Sequence, residues 1–178
     1  MKLLIALTVC AAPAFAECPP PPDISAAQTA LLSEVQAAPT QMAADLLTNE
    51  LWDLWAKAPD QYAQELLDTG LERRSSFDLN GAIIAFDALV EYCPDYAEGY
   101  NQRAFIAYMR QDYDAALADL NAAIERSPNH VAALAGKALT LIGLGREAAA
   151  QLTLRDALAL HPWLPERGLL KKPQGEDL

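Results

Sequence analysis

The chain repeats itself every 34 residues, and that period decides what it can fold into. Pro94, Pro128 and Pro162 stand one step apart, as do Ala82, Ala116 and Ala150, and likewise Gly70, Ala104 and Ala138. Leu66, Tyr100 and Leu134 form a fourth column, and Phe86, Leu120 and Leu154 a fifth. Five columns in one phase mark a repeat architecture, in which each unit buries its apolar face against its neighbours.

Within each unit the apolar positions step by three and four, the spacing of an amphipathic helix. A short break divides the unit, at Gln111-Asp112-Tyr113 in the middle one and Gly143-Leu144-Gly145 in the last. Each unit therefore predicts two antiparallel helices. The small residues allow the two backbones to approach closely. The proline ends the second helix, because it has no N–H to donate and disfavours helical geometry in the residue before it.

These columns resemble the tetratricopeptide repeat family over residues 63–164. The stretch RQDYDAALADLNAAIERSPNH, residues 110–130, is typical of it. The small residue late in the second helix is kept as Ala123 and Ala157, whereas the first unit has Leu89 and departs there. The resemblance implies an all-α, right-handed α-solenoid of three helix hairpins at 63–96, 97–130 and 131–164. It also implies a non-catalytic scaffold with a concave groove lined by the first helices. In this sequence the implied lining includes Gln64, Leu67, Leu71, Arg74, Ser75, Glu98, Asn101, Phe105, Tyr108 and Met109, then Ala132, Ala135, Leu139, Ile142 and Gly143. Members that capture chaperone tails clamp a terminal carboxylate with Lys, Arg and Asn; only Arg74 and Asn101 match in kind, so the clamp is not reproduced. The expected partner site is an apolar groove centred on Phe105, Tyr108, Met109, Leu139 and Ile142, with Arg74 and Asn101 beside it. Exposed apolar surface of that extent marks a protein or peptide partner. Filling of the groove by the chain's own termini is the competing expectation.

Residues 24–62 predict an N-terminal helical cap, a degenerate repeat. Ser25 is expected to cap a helix reaching about Ala37, Pro39 to break it, and Thr40 to cap a second helix ending near Pro59. Such a cap is expected to cover the open face of the first unit, with Trp52 and Trp55 as its packing. Residues 17–23, with four consecutive prolines, predict an extended lead-in, and residues 165–178 a polar C-terminal tail with one short capping turn.

Residues 1–16, MKLLIALTVCAAPAFA, combine a positive start, an apolar run and a small-x-small ending. This is the pattern of a cleaved signal peptide, too short to span a bilayer, with cleavage expected after Ala16. Lipidation at Cys10 is disfavoured by the bulk of Val9 and by its place inside the apolar run. Export to a bacterial periplasm is the expected destination. Cleavage leaves Cys18 and Cys93, and two cysteines in an oxidising compartment predict one disulfide.

The formal net charge of −11 argues against nucleic acid as a partner, since phosphate binding relies on Lys and Arg. No apolar run of membrane-spanning length follows residue 16. No metal-ligand spacing, phosphate loop or catalytic triad spacing is present, so neither metal nor cofactor is expected, and the two histidines, His130 and His161, fall in turns after second helices. The leading expectation is an exported scaffold. An accessory subunit or minor hydrolase of envelope metabolism, and a self-assembling solenoid that forms homo-oligomers, are the alternatives.

Overall fold

A computed structural model describes residues 17–171, so the signal-peptide expectation, Cys10 and the last seven residues lie outside the described residues. Eight helices follow one another: α1 (Ser25–Ala37), α2 (Gln41–Trp55), α3 (Gln61–Ser75), α4 (Leu79–Tyr92), α5 (Ala97–Met109), α6 (Tyr113–Arg126), α7 (Val131–Gly143) and α8 (Glu147–Leu160). A 3-10 turn, Pro165–Leu169, completes them, and no strand occurs among the described residues. The pairs α3–α4, α5–α6 and α7–α8 are hairpins stacked in order, with α4 on α5 and α6 on α7.

The 34-residue columns correspond to the same contact made three times. A methyl group on Gly70 would sit 2.2–2.7 Å from the ring of Phe86, which is fully buried. At the equivalent places the first helix carries Ala104 and Ala138, while the second carries the smaller Leu120 and Leu154, all buried. Glycine against phenylalanine and alanine against leucine fill the same gap, as close packing demands.

The hairpin bends are equally periodic. Phe77, Gln111 and Gly145, each 34 residues apart, take left-handed backbone with φ of 60°, 61° and 69°. Only glycine does so without steric cost, so the first two units carry strain that the third does not. Asp78 and Asp112 then cap α4 and α6 by accepting from the N–H of Gly81 and Ala115.

The N-terminal segment departs from expectation in two ways. Ser25 does not cap α1; it is the first helical residue, and its N–H and hydroxyl both donate to Asp23 Oδ1 at 3.0 and 2.6 Å. Thr40 does cap α2, accepting from Ala43 N–H. The larger departure is where the α1–α2 hairpin lies. Its buried stripe of Leu32, Val35, Leu51 and Trp55 packs on the third unit, against Val131, Leu134, Ala135, Ala157 and Leu164, rather than simply over the first. Gln36 Nε2 donates to the carbonyls of Ala159 and Leu160 at the end of α8, and Gln41 Nε2 to that of Trp163. Helix α2 thus runs from the end of α8, past the starts of α7 and α5, to the start of α3. The array is closed on itself.

Cys18 and Cys93 are joined in the structure, with Cα atoms 5.2 Å apart. Cys93 is the buried C-cap of α4, so the bond ties the lead-in to the bend between the first two hairpins.

Candidate functional site

Helix α2 crosses the array and turns the groove into a part-open chamber of about 950 Å3, roofed along one side. Its floor comes from the first helices: Leu71, Arg74 and Ser75 of α3, Asn101, Phe105, Tyr108 and Met109 of α5, and Ala132, Ala135, Leu139 and Thr140 of α7. Its roof is α2, through Thr48, Trp52 and Trp55, and one end is closed by His161, Trp163 and Glu166. The volume lies at the upper end of the range in which clefts hold drug-sized ligands or short peptides.

Of the seven residues expected at the partner groove, six line this chamber: Arg74, Asn101, Phe105, Tyr108, Met109 and Leu139. Ile142 does not; it is half-buried one turn beyond Leu139. Three residues of the wider implied lining also lie elsewhere. Leu67 is fully buried in the core of the first unit, Gln64 accepts from Ala58 N–H, and Gly143 lies against the ring of Tyr113. Trp52, Thr140, His161, Trp163 and Glu166 escape a reading based on first-helix positions, because α2 and the segment after α8 bring most of them. Only Thr140 stands on a first helix.

The inner end of the chamber is a polar network with few accessible atoms. Glu98, Asn101, Gln102 and His130 are all buried. Glu98 accepts from Asn101 Nδ2, from Gln102 Nε2 and, at 2.8 Å, from His130 Nε2. His130 Nδ1 meanwhile accepts the N–H of Ala133 at the start of α7, which leaves Nε2 as the nitrogen carrying the proton. The imidazole is stacked on Trp55, with ring centroids 4.2 Å apart. Gln102 passes the network on to the Arg74 guanidinium, which lies 5.2 Å from the centroid of the Phe105 ring. Burial lowers the Arg74 pKa, and the nearby charge of Glu98 partly offsets this. Arg74 is half-buried, with one hydrogen bond to Gln102 and its ring contact to Phe105, so its charge remains part of the chamber wall.

At the other end, three wall atoms have no partner. They are Thr140 Oγ1, His161 Nδ1 and Glu166 Oε2. His161 Nε2 stands 2.8 Å from Thr48 Oγ1, whose own hydrogen goes to the carbonyl of Ala44. Nε2 must therefore be the donor, and Nδ1 is an acceptor with nothing to accept. Burial lowers the His161 pKa, which favours that neutral form.

The mouth carries Phe77, 78% exposed in its left-handed backbone, while Phe105 of the floor is itself 47% exposed. A large aromatic held out to solvent in a strained conformation is the kind of feature found at ligand clamps. Among the described residues no group of three or more His, Cys, Asp or Glu is placed to hold a metal, and no helix is long and apolar enough to cross a membrane.

Fold and site together define a closed array of helix hairpins around a ligand-sized chamber. Residues 107–163 match the family profile of the tetratricopeptide repeat, and the three in-phase hairpins make this a tetratricopeptide-repeat fold. The chain is similar to the tetratricopeptide repeat protein 36 homolog of Nematostella vectensis, 40% identical over 73 residues, 41% of this chain and 40% of that protein. It is similar also to tetratricopeptide repeat protein 36 of Xenopus tropicalis, 32% identical over 117 residues, 66% of this chain and 45% of that protein. The chain thus spans less than half the length of these two curated relatives. Among solved structures, it resembles the TPR2B domain of yeast Sti1 in complex with pHsp70. Identity there is 33%, coverage is 55% of this chain and 78% of that one, and the TM-score is 0.54.

Proposed function

We propose that this protein is an exported scaffold that holds an extended segment of a protein partner inside the roofed chamber. The observation that carries the reading is the chamber itself, in which Phe105, Tyr108, Met109 and Leu139 form an apolar floor beneath α2. Aromatic and aliphatic anchors in a concave, partly desolvated site are what peptide hot spots require. The similar TPR2B domain, seen in complex with pHsp70, supports a protein partner. Export is supported by the signal-like residues 1–16 and by the joined Cys18 and Cys93, since such bonds persist in oxidising compartments.

The test is to pan a displayed peptide library on purified protein and on Leu139→Asp. A carboxylate on the floor should abolish capture of peptides that the parent enriches. Enrichment of the same peptides by both proteins, or of none by the parent, would refute the reading.

A further inference from the structure

We propose, building on the peptide-binding reading, that the held segment carries a lysine or arginine side chain. Its cationic group lies at the α2–α8 end of the chamber, against Glu166 and Asp45.

The charge around the chamber is one-sided. Its lining includes Asp45, Asp53, Glu98 and Glu166, against Arg74 as the one arginine or lysine. Glu98 is absorbed by the buried network described above, to which the half-buried Arg74 at the opposite end is tied through Gln102. The other three acids take part in none of the ion pairs formed among the described residues. Asp45 accepts an amide N–H from Gln41, while one oxygen of Glu166 is buried with no partner at all.

One further side chain, independent of that charge, asks for the same chemistry, and a second can satisfy it. His161 is buried, with Nδ1 fixed as an acceptor by the Thr48 hydroxyl, and Thr140 is buried with its hydroxyl oxygen unpartnered. A buried acceptor without a partner has given up its hydration with no donor in return, so a donor-bearing ligand supplies interactions that the wall lacks. A carboxylate ligand would meet the like charge of Asp45 and Glu166 and the His161 acceptor instead. An ammonium or guanidinium group brings three to five N–H donors and the complementary charge. Trp52 and Trp163, in the same lining, offer indole faces that attract a desolvated cation.

The experiment uses a positional-scanning library of acetylated, amidated hexapeptides, which removes terminal charges. One position is fixed as Lys, Arg, norleucine or Glu, and the others are randomised. Lys and Arg pools should be retained about tenfold more than the norleucine pool, the effect of one charge-assisted hydrogen bond, with the Glu pool weakest. The preference should shrink in high salt. It should also shrink in Glu166→Gln and in Asp45→Asn, the second being an exposed position. Retention of norleucine or Glu pools equal to that of Lys overturns the cationic assignment while the peptide reading stands. Retention of every pool at the level of Leu139→Asp overturns both.

Discussion

The indole of Trp55, the last residue of α2, lies flat on the imidazole of His130, the N-cap of α7, with the ring planes 17° apart. The same tryptophan donates from Nε1 to Gln28 of α1, and its carbonyl accepts the hydroxyl of Tyr96, the residue before α5. One side chain and its carbonyl thus join the N-terminal hairpin to the N-caps of α5 and α7. Trp55→Ala should cost about 3–5 kcal/mol, the range for emptying a buried aromatic site, read from the midpoint of urea unfolding. An unchanged midpoint would show that the hairpin contributes nothing to the folded array.

The bond between Cys18 and Cys93 closes a long loop, with a sequence separation of 75. In the chain-entropy account such a loop contributes roughly 4 kcal/mol, and less where α1 and α2 are already packed. Reduction, or Cys93→Ser, should lower the melting temperature by several degrees, up to about 10 °C for a chain of this size. Thiol titration of unreduced, unfolded protein should find no free Cys18 or Cys93 in exported material. Two titratable thiols there would refute the pairing.

His161 links stability to pH. Its folded pKa is lowered by burial from the ordinary value of 6.5, so between the two values the unfolded chain binds more protons than the folded one. Its contribution is fully present above pH 6.5 and is eroded as pH falls from there through the folded value. Urea midpoints for the parent should fall between pH 7 and pH 5 more steeply than those of His161→Gln. Parallel curves would remove His161 as the source.

The contact between Gly70 and Phe86 leaves no room for a methyl group. Gly70→Ala should therefore destabilise by about 1–3 kcal/mol, the cost of overpacking a filled core, despite alanine's better helix propensity. Pairing it with Phe86→Leu recreates the Ala104–Leu120 arrangement of the second unit and should recover part of that loss in a double-mutant cycle.

Gln111 holds its left-handed backbone at the bend where the third unit has Gly145. Gln111→Gly should be neutral or stabilising by up to about 1 kcal/mol, because relief of the steric cost outweighs the added freedom of the unfolded chain. A marked loss of stability would mean that the side chain of Gln111 matters more than its backbone.

The repeats were legible in the sequence because the same physical contact recurs at one spacing: Gly70 with Phe86 announces Ala104 with Leu120. The floor of the chamber was legible for the same reason, since Phe105 and Leu139 stand on equivalent faces of α5 and α7. The roof was not. Apolar spacing in α2 shows that Trp55 and Leu51 must be buried, but it carries no information about which surface buries them. The deciding contacts, such as Gln36 with Ala159, join residues 123 apart and occur once. His161 was missed because a turn histidine reads as a helix-end residue until Thr48 is placed opposite it.

Ring closure gives the N-terminal hairpin the role of a ruler. Helix α2, with 15 residues, is about 22 Å long at 1.5 Å per residue, and that length is what joins the start of α3 to the carbonyl of Trp163. Tandem arrays ordinarily grow or shrink by duplicating or deleting a unit. Here a fourth hairpin would carry the end of α8 out of reach of Gln36 and Gln41, and a missing one would leave Trp55 without the surface it lies on. The number of repeats is therefore set by the span of a segment that is not itself one of them.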